Sequence, residues 1–253
     1  MRNGFLLPCL PCLLMGLALF LPEVLAEFGP PALDKPTGGE LSSKTGIIEG
    51  TVFYQPDAQR RWRYQRYYVR KPRTGELAEA VVAVSIKDKR EKPDNMHHAG
   101  QVAVMDQINY RFVPETLAIR AGDSVRFKNS DDALHNVLSL NGEKPFNVNL
   151  AKGGEYVQRF SRAGGLSNPM RLGCVYHGAM QAWIYVFNHP SYQVTGADGK
   201  FRLENLPPGK HELALRHVAG GLSWKKQITI EAGKTTRIDI RISPDNLIRS
   251  KTK

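Results

Sequence analysis

Cys174, His177 and Met180 stand three residues apart in "GCVYHGAM" (173–180), just before the aromatic run "AWIYVFN" (182–188). A thiol, an imidazole and a thioether are side chains that bind soft transition metals. Extended chain rises about 3.3 Å per residue, so the path from Cys174 to Met180 would span roughly 20 Å. Donors to a single ion must converge within about 2–3 Å of a point. The segment therefore has to curl, and Gly173 and Gly178 are expected to permit it. Three ligands from one loop leave a side of the site open. "NSDDALHNVLS" (129–139) offers His135 to close it, at the start of a strand after a polar loop. Two imidazoles, a thiolate and a weak axial thioether make the blue-copper donor set. Taken singly, each residue also has a plain reading: Cys174 as a small buried hydrophobe, His135 as a sheet histidine, Met180 as core.

The ends of the chain bear on Cys174. Residues 1–26 read as a secretory signal, with Arg2 as a basic start, an apolar stretch broken by Pro8 and Pro11, and Val24-Leu25-Ala26 as a cleavage pattern. An uncleaved anchor is the competing reading. Cleavage would remove Cys9 and Cys12 and leave Cys174 as a lone thiol in an exported protein. Such a thiol is an inert buried residue, a partner for another chain, or a metal ligand. The net charge of +11 favours an acidic partner or an anionic surface. Nucleic acid is a poor partner for an exported chain, and no membrane span is expected after signal cleavage.

The elements that must position these residues read as strands. Residues 27–45 are rich in Pro, Gly and Ser and form a flexible lead-in. "GIIEGTVFY" (46–54) and "AEAVVAVSIKD" (78–88) are strands. Beyond residue 100, short β-type runs alternate with Gly-rich turns such as Ala121-Gly122-Asp123. A last set, "KFRLENL", "KHELALRHV", "KKQITIEAG" and "TRIDIRIS", has period-two alternation. Nothing long has helical period. The fold class is all-β, an antiparallel sandwich or barrel. Between the first two strands, "RRWRYQRYYVRKPR" (60–73) interleaves cations with Trp62, Tyr64, Tyr67 and Tyr68, and is expected to be an exposed excursion that docks an acidic partner or surface. Met96, His97 and His98 form a minor copper candidate; His189, His211 and His217 read as ordinary sandwich residues.

"YRFVPETLAIRAGDSVRFKNSDDALHNV" followed by "GCVYHGAM" resembles the cupredoxins, above all the amicyanin type with its short Cys-x2-His-x2-Met loop, and exported methylamine-utilisation-like proteins. The resemblance covers about residues 101–188. It implies a Greek-key β-sandwich holding one type 1 copper, with His135, Cys174 and His177 as equatorial ligands and Met180 axial. It gives Asn136 a supporting role, tying the ligand loop to the histidine strand. Gly178 departs from the pattern, since amicyanin-type loops often have proline there. "TGADGKFRLENLPPGKHELALRH" resembles the carboxypeptidase-regulatory-like (transthyretin-like) sandwich, and 46–92 fits its opening strands. The expected organisation is a signal at 1–26, a linker at 27–45, sandwich strands at 46–92 and 189–243 around or beside the copper domain at 101–188, and a basic tail at 244–253. The implied function is an exported one-electron carrier, not an enzyme, serving an acidic redox protein such as a c-type cytochrome or dehydrogenase. Copper storage or delivery, and a structural adhesion sandwich with an idle thiol, are the alternatives.

Overall fold

The structure, a computed structural model, describes residues 44–85, 98, 100–139, 141–142 and 144–248. The signal at 1–26, nearly all of the lead-in, Met96, His97 and the end of the basic tail lie outside the described residues. No described helix is long and apolar enough to cross a membrane.

The chain is all-β. The strands are β1 (Gly46–Tyr54), β2 (Val81–Ser85), β3 (Val102–Ile108), β4 (Arg111–Val113), β5 (Thr116–Arg120), β6 (Ser124–Asn129), β7 (His135–Ser139), β8 (Phe146–Leu150), β9 (Glu155–Arg159), β10 (Met170–Gly173), β11 (Gln181–Phe187), β12 (Tyr192–Val194), β13 (Lys200–Leu206), β14 (Gly209–His217), β15 (Leu222–Ile230), β16 (Thr235–Arg237) and β17 (Ile240–Ile242). A four-residue helix, α1 (Gln65–Tyr68), and a 3-10 turn at Pro244–Asn246 complete the set.

Two sheets made from 102–187 face each other, in the orders β5-β11-β10-β7-β8 and β4-β3-β6-β9. Their core includes Met105, Phe127, Val137, Leu172 and Ile184, and Cys174 and Met180 belong to it. Two further sheets flank this pair. One has the order β12-β2-β14-β15, and in the other β1 lies between β13 and β16, with β17 also on β1. The 46–54 strand thus pairs with strands after residue 199: Gly50 opposes Phe201, and Val52 opposes Ile240. Their core is separate, with Ile48, Val52, Leu213 and Ile240 at its centre. The Asp198-Gly199 turn shows why glycine is needed there. Gly199 has φ +67, and a Cβ would stand 2.6 Å from the Val52 carbonyl oxygen.

A third, smaller core joins the two halves. On β11, Ala182, Ile184 and Val186 face the central core, while Trp183, Tyr185 and Phe187 face outward onto Val81 and Ala83 of β2. On β2, Val82 and Val84 point the other way, into the flanking core. Strands buried on both faces have no polar side, which is why "VVAV" and "AWIYVF" are continuous apolar runs.

The arginine-aromatic stretch differs from a loose excursion. Its cations are exposed, but Trp62, Tyr68 and Val69 are buried in the flanking core. Trp62 Nε1 donates to the Gly220 carbonyl at 2.9 Å, and its ring lies 4.6 Å from that of Tyr54. Tyr68 donates to Glu115 Oε1 at 2.5 Å. Aromatic side chains turn inward and guanidinium groups outward because burying an unpaired cation costs far more than exposing it. The stretch is a fixed ledge on the flank of the molecule.

His217 sits under this ledge, 1% exposed, with ring centroids 4.4 Å from Tyr68 and 5.6 Å from Trp62. Burial pushes its pKa down to about 4, against smaller opposing effects from backbone groups. The unfolded chain titrates near 6.5, so between those values it takes up a proton that the folded chain refuses. This contribution to stability is complete above pH 6.5 and is lost as pH falls toward 4. His217→Gln should remove roughly 2–3 kcal/mol of the stability difference between pH 7.5 and 4.5, a component set by linkage. Urea denaturation of both proteins at the two pH values checks it; identical pH dependence would contradict the assignment.

Candidate metal centre

His135 opens β7 and is fully buried. Its Nε2 lies 2.7 Å from Asp131 Oδ2, so the ring donates there and presents Nδ1 as its free lone pair. That Nδ1 faces His177 Nδ1 at 3.1 Å, and His177 Nδ1 lies 3.7 Å from Cys174 Sγ. All three donor atoms lie within 4.8 Å of one another. Cys174 is buried, and His177 is half-buried.

These distances can be compared with metal geometry. Two nitrogens about 2.0 Å from one ion, subtending about 100°, lie roughly 3.1 Å apart. A thiolate at about 2.3 Å and a nitrogen at about 2.0 Å, subtending about 118°, lie roughly 3.7 Å apart. Two edges of the triangle therefore match donors to one small cation, while the third, from Cys174 Sγ to the His135 ring, lies within 4.8 Å, against the roughly 4.3 Å that the two bonds span end to end, so the donors would draw slightly inward to share an ion. A thiol and two imidazoles facing one another in a buried space are also a natural cation-binding set.

The ligand loop curls by a different device from the one expected. Neither Gly173 nor Gly178 has a positive φ, and a Cβ on Gly178 would meet nothing within 4 Å. The curl is a turn closed by the Met180 amide, which donates to the His177 carbonyl at 2.9 Å. Met180 is 2% exposed and packs in the same core as Cys174, at the entry to β11. Asn136 Oδ1 accepts from the Val175 amide at 3.4 Å, and its Nδ2 donates to Asn149 Oδ1 at 3.1 Å and to Asn147. It thereby bridges β7, β8 and the ligand loop.

Asp131 and Tyr110 are the residues that sequence reasoning missed. Besides His135, Asp131 accepts the amides of Asn109 (2.6 Å) and Tyr110 (2.9 Å). These two residues form the tight turn between β3 and β4, at φ 53 and 59. Glycine is common in such a turn. Here the carboxylate compensates for a tyrosine, whose ring is thereby set edge-on against His177 (4.8 Å) and His135 (5.4 Å). Burial acts to raise the Asp131 pKa, but the Tyr110 amide, His135 and the Asn109 amide outweigh it and hold the group below the usual carboxylate range. The sequence signal was available: a carboxylate four residues before the histidine, in the same polar loop.

Among the described residues, the other histidines have partners of their own away from the triangle. His98 is paired with Asp123, His211 Nε2 lies 2.9 Å from the Pro207 carbonyl, and His189 Nδ1 accepts from Ser191.

The sequence profile described as carboxypeptidase regulatory-like domain matches residues 180–243, about a quarter of the chain, beginning at Met180 and so including β11. Comparison with curated proteins finds no match. Among solved structures, a copper-containing nitrite reductase from Thermus scotoductus is 25% identical over 34% of this chain and 22% of its own, with a TM-score of 0.31. This chain thus spans about a fifth of that enzyme. The Cu(I) form of an amicyanin point mutant is 24% identical over 36% of this chain and 88% of its own, with a TM-score of 0.31. A purple cupredoxin from Nitrosopumilus maritimus is 21% identical over 34% of this chain and 99% of its own, with a TM-score of 0.30.

Asp131→Ala should cost about 1–3 kcal/mol of stability, since it leaves the buried His135 imidazole without its acceptor, whereas the exposed Asn109 and Tyr110 amides can turn to water. It should also lower the affinity of the triangle for a divalent ion about 10- to 100-fold by freeing the His135 ring. Urea denaturation and competition titration with zinc check the two effects.

Proposed function

We propose that this chain is an exported type 1 copper protein that passes single electrons, with a cupredoxin module (102–187) set into a carboxypeptidase-regulatory-like sandwich built from 46–85 and 192–242. The observation that carries the reading is the triangle of His135, Cys174 and His177, two of them buried and His177 half-buried. In this reading His135, Cys174 and His177 would hold the ion, and the Met180 thioether would be a fourth, weaker donor. Copper bound there supplies a one-electron couple between its cupric and cuprous states.

The protein's own groups support the role. The Asp131 bond fixes the His135 ring, and Asn136 fixes the ligand loop against β7. Donors held by hydrogen bonds outside the site move little when the charge of the ion changes, which favours fast exchange. His177 is the donor that is partly exposed, on a loop that also exposes Val175 and Tyr176. No role as a catalyst is proposed. The positive balance of the chain favours an acidic redox partner, of the kind a c-type cytochrome or dehydrogenase represents.

Cupric ion added to the purified chain should give an intense thiolate charge-transfer band. Cys174→Ser should abolish that band and most cupric affinity while leaving the fold, because a hydroxyl stays protonated at neutral pH. A variant that keeps the band would end the proposal. Reversible voltammetry of the loaded protein then separates a carrier from a store.

The Met180 role has its own test. Met180→Leu roughly keeps volume, so its packing cost should stay below about 1.5 kcal/mol. It removes a donor to the oxidised ion, and the potential should rise with copper retained. Met180→Gln supplies a harder oxygen donor and should lower it. If both potentials match the parent, Met180 is core and nothing more.

A further inference from the structure

The ledge at 60–73 carries Arg61, Arg63, Arg66, Arg70, Lys71 and Arg73, all exposed and none with a carboxylate partner among the described residues. Arg60, at its start, is already paired with Asp57 and Asp245. The cations stand on a fixed backbone, since Trp62, Tyr68 and Val69 are buried beneath them. The Arg63 and Arg66 guanidinium groups each lie 4.6 Å over the ring of the following tyrosine, Tyr64 and Tyr67. The Nη2 of each also donates to that tyrosine's hydroxyl, which fixes the rotamer and leaves the remaining N–H groups for a carboxylate.

Beside the ledge lies a cleft of about 370 Å³. Tyr64, Tyr67 and Tyr68 form one wall, and Tyr110, Met180 and Trp183 contribute to the other. The cleft therefore touches the candidate metal centre twice. Met180 ends the ligand loop, and Tyr110 rests its ring against His177 and His135. The lining arginine, Arg111, is already paired with Glu115 at 3.4 Å.

We propose that ledge and cleft together are the docking seat for a carboxylate-rich protein surface, which sets an apolar or aromatic group into the cleft against Tyr110 and the Met180 end of the loop. The electron-carrier reading supplies the purpose of this docking; the seat itself stands on the geometry of the ledge. A small anion inside the cleft would meet only the paired Arg111, whereas the free cations lie outside, strung along the ledge. An occupant that uses both must be larger than the cleft. A bilayer face presents anions in a plane and has no knob to fill the aromatic cavity. Exposed ion pairs are individually weak. Several of them around a filled apolar cleft give an interface with a buried centre and a charged rim.

A Glu-rich peptide with a central pair of tyrosines is the probe, titrated into metal-free protein and followed by amide NMR. Signals of Tyr64, Tyr67, Tyr110 and Ala179 should move. Replacing Arg61, Arg63 and Arg66 together with Gln should weaken binding about tenfold and flatten its salt dependence. Replacing Lys210, Lys225 and Lys226 on β14 and β15 removes the same charge and should leave binding within about twofold, as for charges remote from an interface. Equal weakening in both variants, or shifts centred on 141–170, would overturn the proposal. So would phosphatidylglycerol vesicles that bind through the same arginines more tightly than the peptide. Binding is read without metal, so the carrier reading is judged separately, on the cupric spectrum. A colourless protein that still binds the peptide at the ledge would end that reading and leave the seat in place.

Discussion

β11 has to satisfy two cores at once. Its even-numbered residues, Ala182, Ile184 and Val186, fill the central sandwich, and its odd-numbered ones, Trp183, Tyr185 and Phe187, seal the seam against β2. Fully burying one such side chain contributes about 1.5–3 kcal/mol, so each face of the strand is worth several kcal/mol. A slip of one residue would exchange the faces and forfeit both. The register of β11 is thus fixed more firmly than that of a strand with one wet face. Met180 directly precedes this strand, so the end of the ligand loop inherits that rigidity.

The rest of the centre is held by polar groups that touch no donor sulfur. Asp131 joins three chain segments, since it accepts from the β3–β4 turn and from the His135 ring while lying in the 130–134 loop. That loop is itself pinned by Asn129, whose Nδ2 donates to the Ala133 and Leu150 carbonyls at 2.8 Å. Asn136 performs the equivalent joining on the far side. Hydrogen bonds to a charged group contribute about 1.5–3 kcal/mol each, more than neutral ones, so the Asp131 junction dominates this frame.

Much of this was legible in the sequence where the signal is local. β1 and β13 coincide with "GIIEGTVFY" and "KFRLENL" because apolar alternation and glycine boundaries mark both ends. His135, Cys174 and His177 stood out because their donor chemistry is written in residue type. β4, β8 and β12 did not stand out. They are short, and "FNVNL" alternates with asparagine, a residue that reads as loop. Their pairing is decided by neighbours distant in sequence. Asp131 itself stood in view four residues before His135, but its other partners, Asn109 and Tyr110, lie about twenty residues away and were not legible. The ledge was read from its charge, and charge says nothing of which aromatic rings turn inward. The curl of the ligand loop was credited to glycine, whereas an ordinary backbone turn does the work.

The seam between β2 and β12 also bears on the order in which the chain assembles. Ala83 pairs with Tyr192 across more than a hundred residues of intervening chain. Closing so long a loop in an unfolded chain costs about 4 kcal/mol of configurational entropy. The segment 102–187 forms its own paired sheets, and it brings its two ends together: Ser124 holds Gln101, and Ala121 holds Phe187, on either side of one short turn. Once that segment has condensed, the loop left to close is only about twenty residues, which lowers the cost by about 1–2 kcal/mol. Assembly from the middle outward is therefore the faster route, with the flanking strands meeting only after the 102–187 segment has drawn their tethers together.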